Sequence, residues 1–202
     1  LKVFNVSDTE SPITTNSGWT ATTGDGRELG AFPLAEGSAD SVIRRDFGAD
    51  GFTAQVLPAT EDTEPGISLV EIYDGDTEAL ATRLTNLSAR TEVAANGDVT
   101  MGFVLDGQTP RTVLIRAIGP GLDTFGVPGT LDDPQLLLLR GPVAEFGNDD
   151  WNGQTTIQET SEAVGAFPLL NESADAALLT TLPPGAYTVR VTAPANQSGV
   201  VL

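Results

Sequence analysis

The residues of this chain best suited to chemistry are oxygen donors. The stretch "NDDWNG" sets Asn148, Asp149 and Asp150 side by side, immediately ahead of Trp151. Adjacent carboxylates and an amide oxygen are the hard ligands that calcium prefers, so Asn148, Asp149 and Asp150 form the candidate metal site and calcium its candidate ion. The same letters suit an Asx-rich turn, in which Asn and Asp bond their own backbone. Both readings stand at this level. "YDGDTE" (Tyr73 to Glu78) is a second acidic turn of the same kind, and neither has the spacing of an EF-hand loop.

Other chemistries are excluded by composition. The 202 residues include no cysteine and no histidine, which removes disulfides, thiol chemistry, zinc and haem sites and every His-based triad. "RAIGPG" (Arg116 to Gly121) has glycines but lacks the Lys-Ser/Thr pair and strand-to-helix setting of a phosphate loop; it reads as a turn leaving a strand, with Arg116 pairing a carboxylate. Acid pairs such as Asp149 with Glu162 could cleave glycosides only across a cleft, and no cleft is implied. No catalytic residue is assigned, and the expectation is a protein that is not an enzyme. Trp19 and Trp151 are open to two readings, as sugar-stacking platforms or as core anchors.

The formal charge of −18, from 28 acidic and 10 basic residues, repels phosphate backbones and anionic lipid. Nucleic acid is therefore not expected as a partner. Nor is membrane insertion, because the longest apolar run, around "PQLLLLR", is far shorter than a membrane span. Lys2 is the single lysine, so a Lys–Asn isopeptide staple would have one donor. The opening "LKVFNV" has neither methionine nor the regions of a signal peptide, which suggests a removed leader or a segment of a longer protein. Asn-x-Ser sequons occur at Asn5, Asn86, Asn171 and Asn196, as chance or glycosylation would both give.

The elements that position these residues are written twice. "GAFPLAEGSAD" (Gly30 to Asp40) and "GAFPLLNESAD" (Gly165 to Asp175) share eight of eleven letters in order. Trp19 precedes the first and Trp151 the second, at an offset of 151 − 19 = 132, while the two glycines differ by 165 − 30 = 135. "DGFTAQVLPA" aligns with "GAYTVRVTAP", and "GISL" with "GVVL". Phe52, Ala54, Val56 and Tyr187, Val189, Val191 alternate with polar residues, the period of a half-buried strand. "LPPG" is the turn before the second of these. Further strands are expected at 68–73, 99–105, 111–117 and 135–140, with a short helix at Thr156 to Gly165. The fold class is all-β: two tandem antiparallel β-sandwich modules, jelly-roll-like, spanning 1–78 and 79–202. The first lacks the N-terminal part of the repeat, and the second has a truncated final strand.

"FGNDDWN", "ESADAALLTTLPPGAYTVRVTAP" and "SGVVL" together resemble the bacterial pre-peptidase C-terminal domain, a small jelly-roll-like sandwich. With "LTNLSAR", "GFVLDG" and "VLIRAIGPGL", the longer pattern looks like an uncharacterised module found in tandem in large secreted bacterial proteins. The resemblance covers Leu84 to Leu202 well and Leu1 to Asp76 more loosely. It implies an exported, non-catalytic accessory or structural module. In some relatives acidic loops bind calcium; the matching positions here are Asn148, Asp149 and Asp150, whereas the first copy keeps Asn16 and lacks both carboxylates.

The expected function is a non-catalytic extracellular structural protein, a subunit or segment of a bacterial surface filament, sheath or matrix assembled through β-strand edges. The alternative is a carbohydrate- or calcium-binding accessory module of a larger secreted enzyme or adhesin. Both place the chain outside the cell or on its surface. The expected partners are copies of itself, head-to-tail, or a polysaccharide. Because "SGVVL" stops where "VEIYD" follows in the first copy, the assembly residues are expected at the two ends. Leu1, Lys2, Val3, Phe4, Asn5 and Val6 would form the donor strand, and Val200, Val201 and Leu202 the open edge that receives it.

Overall fold

The computed structural model describes residues 1–20, 24–58, 60, 66–76 and 83–202. The chain is mostly strand, in several antiparallel sheets, with one α-helix and two 3-10 segments among the described residues. It divides into two compact units, Leu1–Leu87 and Ser88–Leu202. The boundary expected at 78/79 lies outside the described residues.

The first unit is built on a three-stranded sheet, ordered β2-β1-β3, from β1 (Lys2–Asn5), β2 (Thr14–Thr15) and β3 (Phe52–Gln55). Val3 and Phe4 of the central strand are its buried apolar side chains. Trp19 and Phe52 are half-buried, the latter against Phe47 at a ring-centroid distance of 4.7 Å. Phe32, within the repeated stretch Gly30 to Asp40, is 52% exposed. The strand expected at 68–73 does not form, and Ile67 and Leu69 lie open to solvent. The reason is visible in the second unit: the matching strand there is held by neighbours for which the described residues of the first unit contain no equivalent.

In the second unit the alternation read from sequence becomes real strands. They are β4 (Thr91–Val93), β5 (Asp98–Leu105), β6 (Arg111–Ala117), β7 (Gln135–Arg140), β8 (Val143–Asn148), β9 (Ala176–Leu182), β10 (Gly185–Thr192) and β11 (Gly199–Val201). One sheet runs β5-β10-β7-β8; β11 pairs with β4 and β6 with β9. Tyr187, Val189 and Val191 of β10 and Leu136 and Leu138 of β7 meet Val93, Ala117, Ala176, Leu182 and Val201 from the smaller sheets in one core. "LPPG" thus crosses between sheets, from β9 to β10, and is not a hairpin turn. Tyr187 secures this crossing by donating its hydroxyl to the Pro183 carbonyl at 2.8 Å.

A helix, α1 (Thr155–Ala163), sits within one residue of its expected start and packs Ile157 into a second cluster with Trp151, Ile118, Leu122 and Leu169. It ends in Gly165 at φ 74°, and the 3-10 segment Arg27–Leu29 ends in Gly30 at φ 93°. That conformation is open to glycine at no steric cost, which explains the leading glycine of each repeated stretch.

Candidate functional site

The polar side chains common to both repeats converge on one tryptophan. Trp151 is 1% exposed, and its indole N–H donates to the Leu170 carbonyl at 2.9 Å, with the Ser173 hydroxyl at 3.3 Å. Ser173 in turn donates to Asp175 Oδ2 at 2.7 Å. In the first unit Trp19 donates to the Ala35 carbonyl at 3.2 Å and to Ser38 Oγ at 3.0 Å, and Ser38 donates to Asp40 Oδ2 at 2.7 Å. Ala35, Ser38 and Asp40 stand 135 positions before Leu170, Ser173 and Asp175 (170 − 35 = 173 − 38 = 175 − 40). One Trp–Ser–Asp clasp is therefore built twice. Trp151, buried with its N–H bonded inside a loop, is a core anchor and not a sugar platform, whereas Trp19 makes the same bonds while half-buried.

The two clasps differ in what the aspartate does next. Asp175 is fully buried, and its Oδ1 accepts the N–H groups of Gly119 at 2.8 Å and Gly121 at 3.1 Å. The glycines of "RAIGPG" do cradle an anion, but the anion is the protein's own carboxylate. Side chains are excluded there: a Cβ on Gly121 would lie 2.8 Å from Asp175 Oδ2, and one on Gly119 would lie 1.9 Å from the Leu131 carbonyl oxygen. Arg116 stands beside this pair without bonding it. It donates to the Phe167 carbonyl and stacks over the Phe167 ring at 4.6 Å. Burial lowers the Arg116 pKa, and the Asp175 charge opposes that shift. Asp40 has no such loop and is exposed. Sequence alone missed Asp175, although its recurrence in a repeated Ser-Ala-Asp was the available signal.

Asn148, Asp149 and Asp150 lie at the end of β8. Asn148 has both ends of its amide engaged: Nδ2 donates to the Asp150 carbonyl at 2.9 Å, and Oδ1 accepts the Ala177 N–H at 2.8 Å. Asn152 also donates to the Asp150 carbonyl, at 2.9 Å, from a left-handed backbone with φ 54°. Both amides thus donate to the backbone of their own loop, on the same carbonyl. Asp149 and Asp150 remain exposed and face Asp133, whose pKa is raised first by burial and then by these two charges. Among the described residues no three acidic side chains form a metal cage. Two shallow hollows flank the loop. One, of about 460 Å³, is lined by Gln135, Asp149, Arg190 and Thr192; the other, of about 540 Å³, by Asp150, Asn152, Asn171 and Glu172.

The two termini are occupied. β1 is a central strand, pairing Lys2 and Val3 with β2 and all four of its residues with β3. Leu1 exchanges bonds with Asn16, each 2.9 Å, and Val6 donates to the Gly51 carbonyl. At the other end Val200 and Val201 pair with β4 on one side. On the other, Val200 donates to Gly129 and accepts from Leu131, while Leu202 exchanges two 2.9 Å bonds with Ile118. The edge expected to lie open at Val200, Val201 and Leu202 is therefore closed, because residues 129–131 fill the place that a further strand was expected to take.

Comparison with protein-family models, curated proteins and solved structures found no match to this chain.

Proposed function

We propose that the chain is a non-catalytic structural segment of an extracellular or cell-surface assembly, made of two sandwich-type repeats and joined to further copies through strand edges. The observation that carries this reading is the duplicated clasp. The polar groups that the two repeats share bond backbone and one another, so what has been kept in both copies is a scaffold. The net charge of −18 fits a module whose partners are neither nucleic acid nor anionic lipid. Sedimentation equilibrium and negative-stain microscopy across a range of protein and salt concentrations test it. Concentration-dependent, ordered association supports the reading, and a strictly monomeric chain under all conditions overturns it.

A second reading is favoured by the hollow beside Arg190: Gln135, Asp149, Arg190 and Thr192 present donors and acceptors on an open sheet face. That arrangement suits a polysaccharide hydroxyl array. Retention on a polysaccharide column, lost in Arg190→Ala, supports this reading. Calcium would have to be met by Asp149, Asp150 and Asp133, and an unchanged melting temperature in millimolar calcium against EDTA removes it.

A further inference from the structure

The four-stranded sheet of the second unit has two edges of different character. β8 is blunted: its pairing with β7 slips at a bulge between Leu138 and Leu139, it carries Glu145, and its last residue ties itself to β9 through Asn148. Bulges and edge charges are the usual protection against further pairing. β5 has neither. It is eight residues long, pairs in unbroken register with β10 from Asp98 to Leu105, and has no strand on its other side among the described residues. From Val99 to Leu105 it contains no charge, no proline and no bulge. Alternate N–H and C=O groups along its outer side are left to pair outside the sheet. Its outward-facing Val104 is 74% exposed, and Thr100 and Gly102 on the same face are small and exposed. The other strand edges are shorter, charged or covered: β2, β3 and β4 have two to four residues, β6 begins at Arg111 and carries Arg116, and α1 and Asn148 lie against β9.

We propose that β5 is the seam through which two copies of this chain join, strand beside antiparallel strand, extending the four-stranded sheet across a two-fold axis. This rests on the reading of the chain as a structural segment and names the edge it uses. The occupant is a second copy because the strand is complementary to itself in one register. A two-fold axis normal to the sheet keeps inner faces on one side only when residues of equal parity meet, and the two such registers that pair the most of β5 (98–104 or 99–105) centre on Met101 or Gly102. Centring on Gly102 brings Asp98 level with Asp106 of the other copy, just beyond the end of its strand, a like-charge pair at each end of the seam. Centring on Met101 sets Asp98 against Val104 and Thr100 against Gly102, with no like charges opposed. The charges therefore select Met101.

The test is a charge pair at the seam. Val104→Glu places a carboxylate opposite Asp98 of the other copy, twice by symmetry, on a side chain that faces solvent within its own unit. Val104→Lys places an ammonium there instead. Sedimentation equilibrium of the full chain should show a dimer strengthened by salt, since screening relieves the repulsion of two −18 surfaces. Val104→Glu should weaken dimerisation at least about tenfold, while Val104→Lys should match or exceed the unaltered chain at low salt. Circular dichroism of both variants checks that the fold is kept. If the unaltered chain associates and Val104→Glu associates equally, another surface joins the copies: the β5 seam falls and the structural reading stands. Loss of association in both variants overturns the register centred on Met101. A chain that stays monomeric in every condition overturns both.

Discussion

At the scale of single residues, the contrast between Asp175 and Asp40 is the sharpest handle. Both accept from a serine that braces a tryptophan, but Asp175 also closes off two buried glycine N–H groups. Asp175→Ala leaves those donors orphaned and should cost about 3 kcal/mol or more in the stability of the second unit. Asp40→Ala removes one exposed bond and should cost less than about 1 kcal/mol. Chemical denaturation of the two variants measures the difference. Asp133 answers to pH in the opposite sense from a salt-bridged acid. Its folded pKa is raised, so the folded state holds the proton more tightly than the unfolded chain. Its charged form therefore destabilises the fold above the folded pKa, and this cost disappears as pH falls through and below the unfolded value near 3.8. Asp133→Asn should raise the melting temperature slightly at neutral pH, by less than about 1 kcal/mol of stability, and give no gain near pH 3.

Elements were legible in proportion to their local signals. β5 and β10 follow alternation, β6 and β7 are short apolar runs bounded by turn residues, and α1 is followed by a glycine, so each stands where sequence puts it. The strand expected at 68–73 is rich in apolar and aromatic residues but has no partner among the described residues, and a strand without a ladder is not a strand. Asp175 was hidden for a related reason: its partners at Gly119 and Gly121 are 56 and 54 residues away. Spacing along the chain does not reveal which carboxylate will turn inward. The acidic loop was half legible, since bonds from its side chains to its own backbone were expected but the engagement of Asn148 with Ala177 was not. One element carries an evident weakness: α1 begins at Gln154, whose side chain makes no capping bond. Gln154→Ser should satisfy a helix N–H and stabilise the second unit by about 1 kcal/mol, read as a higher denaturation midpoint with unchanged slope.

For the molecule as a whole, the two units differ in how much core they own. The first buries Val3 and Phe4, whereas the second buries two clusters that include Trp151, Tyr187 and Leu131. Stability follows buried apolar surface. Hydrogen exchange should therefore find the slowest amides in β6, β7, β9 and β10, and exchange orders of magnitude faster across the first unit, with β1 its slowest strand. Equal protection of both units would contradict this ordering. The pairing of β4 with β11 has a mechanical consequence. Because they are antiparallel, Thr91 lies opposite Val201, so the chain enters and leaves the second unit side by side. Tension applied along the polypeptide at Ser88 and Leu202 would first break the Leu202–Ile118 bonds and then peel this ladder one pair at a time, from Thr91–Val201 towards Val93–Gly199, instead of shearing all its bonds together. The second unit is thus built to yield first at its own doorway, where Val93 and Val201 would come out into water while the sheet of β5, β10, β7 and β8 still holds.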